Sequence, residues 1–555
     1  MIKDLEQAKR ILGQIEEYHE VSEILIRLIK GEDYQTFDQE GMQLLGELVE
    51  VYEEFVRLKE EEPELEAATI CECIVESLRC VLRLALARSP KTLAKIEFEV
   101  IPLVEELYTH FYFKGCVVGD KEKTRHYLIT EKPKLYSNKY LKIARETGVY
   151  TYELSIIVVA YNKLEMTKCC VESLLSYVPK DLSYELILLN HGSTDGTKEY
   201  FESIAPTKQL DLYKNGGGMH AVHRIVEGKY QLIISNDVLV TENAIANMLA
   251  CMKSDEKIQW VVPTTPNISN LQSISTEYKT LEEMYNFASQ NNVQDPYRWE
   301  QRARLCDPIA MSKDVWDVLS HTSYFDNWLG FSFPDDKTSL ALRRKGYKMM
   351  LAKDAYCYHF GSQTLKEEIA KKSGGADDFY RTGRKRFQEE CGIDPWGTGF
   401  CWGFEPLILL PCNLEGHIDL LGINCGIGSN PLKIKEYIKE LTHNTDVTLY
   451  NVTDDFSYIL DLEGVSDEAK YVEHMKELPQ VLEGKQFDYI LFESKLKEYE
   501  NPCHMIEQIM RNFLKENGIF AFTLGRSDLK EELTNKYPNL KNLGAWYTLA
   551  RGDVI

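Results

Sequence analysis

The stretch from Glu153 to Asp237 constrains the chain most, because an apolar strand followed by a polar turn occurs three times in it, with helical sequence between. Leu154-Ser-Ile-Ile-Val-Val-Ala-Tyr-Asn162 is too short for a membrane span and rich in β-branched residues, which reads as a buried strand. Glu185-Leu-Ile-Leu-Leu-Asn-His-Gly-Ser-Thr-Asp-Gly-Thr197 repeats the pattern and closes on a turn whose Ser and Asp can cap the next helix. After Asn215-Gly-Gly-Gly218 and a helical segment, Tyr230-Gln-Leu-Ile-Ile-Ser-Asn-Asp237 hangs a carboxylate on a strand end. Open α/β sheets bind their ligands at that edge.

The rest of the 555 residues is read outward from this core. Residues 1–118 are helical in pattern: Leu5, Ala8, Leu12 and Ile15, then Leu44, Leu48, Tyr52 and Phe55, then Ile70, Ile74, Leu78, Val81 and Ala85 recur every three to four positions. Such a bundle either docks an acceptor protein or a second copy of the chain, or simply supports its neighbour. Residues 119–150 are a basic, Tyr-rich connector. Residues 151–404 form the α/β domain, within which Thr264 to Arg304 is polar and poorly periodic and is expected to be a functional loop or small insertion. The pattern restarts at 405–555. The formal charge of −23, from 64 basic and 87 acidic residues, argues against a nucleic-acid partner. Neither a signal-peptide core at the start nor an apolar run of roughly 20 residues is found, so a cytoplasmic protein without a transmembrane segment is expected. Fourteen cysteines lie without paired C-x-x-C spacing, which points to reduced, mostly buried thiols.

Residues 153 to about 365 resemble family 2 glycosyltransferases of the GT-A fold. The motifs are Ser155-Ile-Ile-Val-Val-Ala-Tyr-Asn162, Gly192-Ser-Thr-Asp-Gly-Thr197, Ser235-Asn-Asp237, Pro334-Asp-Asp336 ahead of Leu342-Arg-Arg-Lys-Gly-Tyr347, and Tyr358-His-Phe-Gly361. The resemblance implies an inverting displacement from a nucleotide-sugar donor. Val159, Ala160, Tyr161 and Asn190 would surround the base, and Asn215, Gly217, Ser235 and Asn236 the ribose and phosphates. Asp237 would hold Mn²⁺ or Mg²⁺, hard cations that take oxygen ligands from a carboxylate, phosphates and water. His359 would ligate the metal or donate to phosphate; as plain structure it is a satisfied buried histidine. Counting back from Gly346, Asp335 falls on the family's general base, with Asp336 the neighbouring carboxylate and helix capping the ordinary role of either. Trp328 suits a sugar face or a buried turn. Two positions depart from the family: Asn190 and Ser235 stand where it usually has aspartates.

Residues 416 to about 525 resemble class I S-adenosylmethionine-dependent methyltransferases through Ile418-Asp-Leu-Leu-Gly-Ile-Asn-Cys-Gly-Ile-Gly-Ser429, Phe487-Asp-Tyr-Ile-Leu-Phe492 and Phe513-Leu-Lys-Glu-Asn-Gly-Ile-Phe520. Gly426 and Gly428 would let backbone approach the cofactor. Gly422, Asn424 and Asn451 replace residues that the family uses for it, and the chain after Gly525 looks short for the usual final strands. A degenerate domain that does not use S-adenosylmethionine is therefore expected, with Cys425 a packing residue.

The expected fold is multidomain α/β: a helical bundle, a GT-A domain and a Rossmann-like methyltransferase-type domain. The expected function is transfer of a sugar, N-acetylglucosamine first, from a UDP-sugar to a hydroxyl of a protein or glycan acceptor, such as flagellin or a polysaccharide precursor, with homo-oligomerisation open. A non-catalytic nucleotide-sugar-binding scaffold and a bifunctional glycosyl- and methyltransferase are the alternatives.

Overall fold

The computed structural model describes residues 2, 5–62, 65–117, 120–131, 138–212, 219–274, 276–313, 333–361, 366, 375–396, 414–493, 501–524 and 528–554. They form two compact units, one of residues 1–240, 308–331 and 362–364, the other of residues 241–307, 332–361 and 365–555.

The first unit opens with helices α1 (Leu5–Lys30), α2 (Tyr34–Glu61) and α3 (Ala67–Leu86). Asp33 caps α2 by accepting from Thr36 N at 3.1 Å. The buried stripe of α1 is Ala8, Ile11, Ile15 and Tyr18, while Leu5 faces solvent, so its apolar phase is turned from the one expected. The expected stripe of α3, Ile70 to Ala85, is buried. The helical layer is tied to the sheet that follows by polar groups. Glu99, fully buried, pairs with Lys95 at 2.5 Å, accepts from Ser77, and accepts the backbone N–H of Asp211 at 3.0 Å. Arg224 pairs with Glu105 at 2.7 Å and donates to Pro102 O at 3.1 Å.

Strands β1 (Tyr152–Ala160), β2 (Tyr184–Asn190), β3 (Lys208–Asp211) and β4 (Gly228–Ser235) are parallel in the order β3-β2-β1-β4, and Ile309–Lys313 adds antiparallel to β4. Their interiors are buried on both faces, which is why these strands read as unbroken apolar runs instead of alternating ones. Register sets Ala160 beside Asn190, Asn190 beside Asp211, and Val159 beside Ser235. The three turns singled out in the sequence thus lie along one carboxyl edge.

In the second unit, Ile258–Thr264 and Lys348–Tyr356 pair in parallel and Trp299–Arg302 joins antiparallel. The stretch expected to be aperiodic contains that strand and a helix, Leu281–Asn291, started by a Thr280/Glu283 capping box. The C-terminal residues build a sheet of seven described strands. In chain order these are Ile418–Ile423, Val447–Thr453, Glu468–Tyr471, Phe487–Phe492, Leu514–Thr523, Lys541–Leu543 and Trp546–Ala550; across the sheet they run 3-2-1-4-5-7-6. The first five are parallel and the seventh is antiparallel to both its neighbours. The expectation of missing final strands is therefore corrected: beyond Gly525 the chain still supplies a hairpin that buries Trp546, Tyr547 and Leu549.

Candidate functional site

The carboxyl edge of the first unit is built by side chains that lock one loop to the next. After β1 the backbone turns through left-handed Asn162 and Lys163, at φ 53° and 62°. Asn162 N donates to Ser193 Oγ at 2.8 Å, and its Oδ1 accepts from Thr194 N at 2.9 Å, joining the turn after β1 to the turn after β2. Asn236, buried after β4, donates to Asn162 O at 2.9 Å and Thr167 Oγ1 at 2.8 Å. Asp195 accepts from Leu164 N at 2.7 Å and from the Thr197 hydroxyl at the same distance, while helix Thr197–Ile204 has Gly196 at its N-cap and no side-chain cap; the expected cap is corrected, and the Ser and Asp of this turn tie it to the loop after β1 instead. Val159 near the end of β1 and Tyr161 just past it are partly exposed; Ala160 between them is buried.

Asn190 is 2% exposed and committed on both sides: Oδ1 accepts from Ser193 N at 3.0 Å and Nδ2 donates to Asp211 Oδ1 at 3.1 Å. Asp211 in turn accepts from Gln209 at 2.9 Å and lies 3.6 Å from the Lys95 ammonium. Lys95 and Glu99 thus support Asn190 from the helical layer through Asp211 on β3, with Glu99 and Asp211 112 residues apart and no spacing signal in the sequence. Ser235 and Asp237 are partly exposed on either side of buried Asn236. Among the described residues no cluster of three or more His, Cys, Asp or Glu side chains could enclose an ion. A hydroxyl and a carboxylate on an open strand edge fit a hard divalent cation that completes its shell with phosphate and water. Asn215, Gly217 and Trp328 lie outside the described residues.

The second unit carries the paired aspartates at the start of helix Pro334–Arg344, entered through left-handed Phe333 at φ 62°. The two carboxylates are not equivalent. Asp336 is 6% exposed and paired with Arg304, whose guanidinium also lies 5.9 Å from the Trp396 ring centre. Burial pushes its carboxyl up to about 6 against the pull of Arg304. Asp335 is partly exposed and lies beside Asp307, a residue that no sequence motif marks. Desolvation raises both, and the neighbouring Asp335 charge drives Asp307 well above the usual carboxylate range. The two form an acid pair whose titrations belong to both carboxyls together. His359 ends the short strand Tyr358–His359, is 4% exposed, and accepts from Asn267 Nδ2 at 3.0 Å through its carbonyl.

The glycine turn of the C-terminal sheet is packed against the domain's own side chains. Residues 421–428 are all buried. A Cβ on Gly428, at φ 78°, would come within 2.7 Å of Val465 and 3.2 Å of Leu462, and one on Gly422 would collide with the Asn451 amide. Asn451 is 1% exposed and donates to Ser466 Oγ at 2.7 Å, while Asn424 Oδ1 accepts from Asp454 N at 3.0 Å. The room that Gly422 and Gly428 leave open is filled by the domain's own side chains, and Gly426 sits in the same buried turn. Titration of S-adenosylmethionine into the full chain in a calorimeter is expected to give no binding heat; a one-to-one isotherm would contradict this.

Residues 155–299 match the family model for glycosyl transferase family 2. The match runs from β1 to the first residue of strand Trp299–Arg302 and ends before Pro334. It supports a nucleotide-sugar glycosyltransferase with a GT-A-like central domain in a mixed α/β chain. No curated protein sequence matches significantly. Among solved structures, GalNAc-T7 with UDP, GalNAc and Mn²⁺ is 12% identical at a TM-score of 0.28, over 38% of this chain and 44% of that one. The mannosyltransferase PcManGT from Pyrobaculum calidifontis, in complex with GDP-Man and Mn²⁺, is 16% identical at 0.26, over 47% of this chain and 78% of that one. The chain thus spans less than half the length of the first of these.

Proposed function

We propose that the chain is an inverting, divalent-cation-dependent glycosyltransferase that takes a UDP-sugar, N-acetylglucosamine first, and delivers it to a hydroxyl of a protein or glycan acceptor such as a bacterial surface component. The observation that carries the reading is the interlocked carboxyl edge of β1, β2 and β4, with Asp237 on it, inside the segment that matches the family. Val159 near the end of β1 and Tyr161 just after it offer partly exposed side chains to a base, and Asn190 forms a fixed floor beside them. Asp237 and Ser235 would hold the cation, whose charge would offset that of the leaving diphosphate. Asp335 takes the proton of the attacking hydroxyl, a role its partly exposed and raised carboxyl suits better than the Arg304-bound carboxylate of Asp336. His359 contacts the diphosphate side of the donor in this scheme. No covalent intermediate is required, and the reaction takes place in the cytoplasm; no described helix is long and apolar enough to cross a membrane.

Donor binding measured by calorimetry with Mn²⁺ and with EDTA tests this. Wild-type chain is expected to bind UDP-N-acetylglucosamine at least about tenfold more tightly with Mn²⁺, and Asp237→Ala to lose that increment. Metal dependence unchanged in Asp237→Ala would remove Asp237 from the ligand set.

A further inference from the structure

The C-terminal sheet domain keeps a binding-domain topology around a filled turn, and its remaining polar investment is directed elsewhere. Helix Pro334–Arg344 begins with Asp335 and Asp336 and ends with Arg343 and Arg344. Both arginines converge on Asp461, whose side chain is fully buried. Arg343 Nε donates to Asp461 Oδ1 at 2.8 Å and its Nη2 to the same oxygen. Arg344 donates to Oδ2 through Nε at 2.9 Å and Nη2 at 2.7 Å, and to Ser457 O at 3.2 Å. One carboxylate thus takes two guanidiniums from the last turn of one helix, where cations also suit the helix dipole. Three residues on, Gly464 lies so close that a Cβ there would collide with the Arg343 carbonyl.

The clamp extends to the strap that faces the acid pair. Arg343 Nη1 also donates to Ala303 O, and Leu305 N donates to Ser339 Oγ at 3.2 Å, so residues 303–305 lie along this helix. Arg304 and Asp307 on that strap are the partners of Asp336 and Asp335. The strap's upstream end is held by the same domain: Lys433 pairs with Glu300 at 2.6 Å, Lys439 donates to Trp299 O at 2.5 Å, and His443 stacks on Tyr297 with ring centres 4.1 Å apart.

We infer that the C-terminal domain is a brace for the acid pair, with Asp461 the positioning residue that fixes helix Pro334–Arg344 and, through Arg343, the strap bearing Asp307. The inference rests on the reading of Asp335 as base, and the test separates the two. Hydrogen–deuterium exchange is compared for the full chain and for Asp461→Asn and Gly464→Ala, the second of which keeps every charge. Both variants are expected to speed exchange in 334–344 and 303–307 at least about tenfold while β1, β2 and β4 stay protected. UDP release from UDP-N-acetylglucosamine with Mn²⁺ is expected to lose at least about tenfold in kcat at unchanged donor KM. Unchanged exchange in 334–344, or an equal rise throughout the chain in both variants, overturns the brace. Faster exchange in 334–344 with kcat intact leaves the brace standing as structure and overturns the placement of the catalytic base on that helix.

Discussion

Asp335→Asn is expected to lower turnover of the donor by about 10²–10⁴-fold while donor affinity stays within about twofold of wild type. The carboxamide keeps the size and can still accept from Asp307, but it cannot take a proton. The fold should not suffer: replacing one member of a pair of desolvated carboxyls removes a repulsion, so the unfolding midpoint is expected to hold or rise. In the wild-type chain both carboxyls are raised, so the rate should climb with pH as the pair loses its first proton, above the ordinary aspartate range. Asp336→Asn should damage stability more than chemistry, because it strips the partner from the partly buried Arg304. Turnover that survives in Asp335→Asn and vanishes in Asp336→Asn at unchanged stability would reverse the assignment.

Glu300→Gln carries the largest expected loss of stability, on the order of 3–5 kcal/mol at neutral pH. Glu300 is 3% exposed and sits among Arg302 at 2.8 Å, Lys433 at 2.6 Å and Lys353 at 3.8 Å. Burial alone would raise its carboxyl; the three cations outweigh that and hold it at about 2, below its ordinary 4.5. A depressed folded-state value contributes stability that is fully present above the unfolded value and is lost as pH falls through the folded one. The gap between wild type and variant in urea denaturation should therefore be wide at about pH 7 and shrink as the pH drops from about 4.5 towards about 2. A constant gap across that window would mean that Glu300 contributes packing instead of charge.

What the sequence disclosed followed from how local each signal is. The strands Leu154 to Ala160 and Glu185 to Asn190 are buried on both faces, and a continuous β-branched run states that directly. Their turn residues Asn162, Asp195 and Asn236 engage neighbours close by in the fold, so the edge was legible from turn chemistry. Helix Leu281–Asn291 escaped because only Met284 and Ala288 face inward, too few to show a period; its Thr280-x-x-Glu283 box was the available sign. Asp211, Asp307 and Asp461 could not be found, since each gains its role from a partner brought by another element: Asn190, Asp335, and Arg343 with Arg344. Counting back from Gly346 already prefers Asp335 over Asp336 as base; what the sequence could not show is that Arg304, from another element, reaches Asp336.

The most direct measurement is release of nucleoside diphosphate from a panel of UDP-, GDP- and dTDP-sugars, each with Mn²⁺, Mg²⁺ and EDTA, with thermal-shift binding run beside it. The account requires turnover of one donor, UDP-N-acetylglucosamine first, that disappears with EDTA, in Asp237→Ala and in Asp335→Asn. No release and no thermal shift with any donor would contradict it.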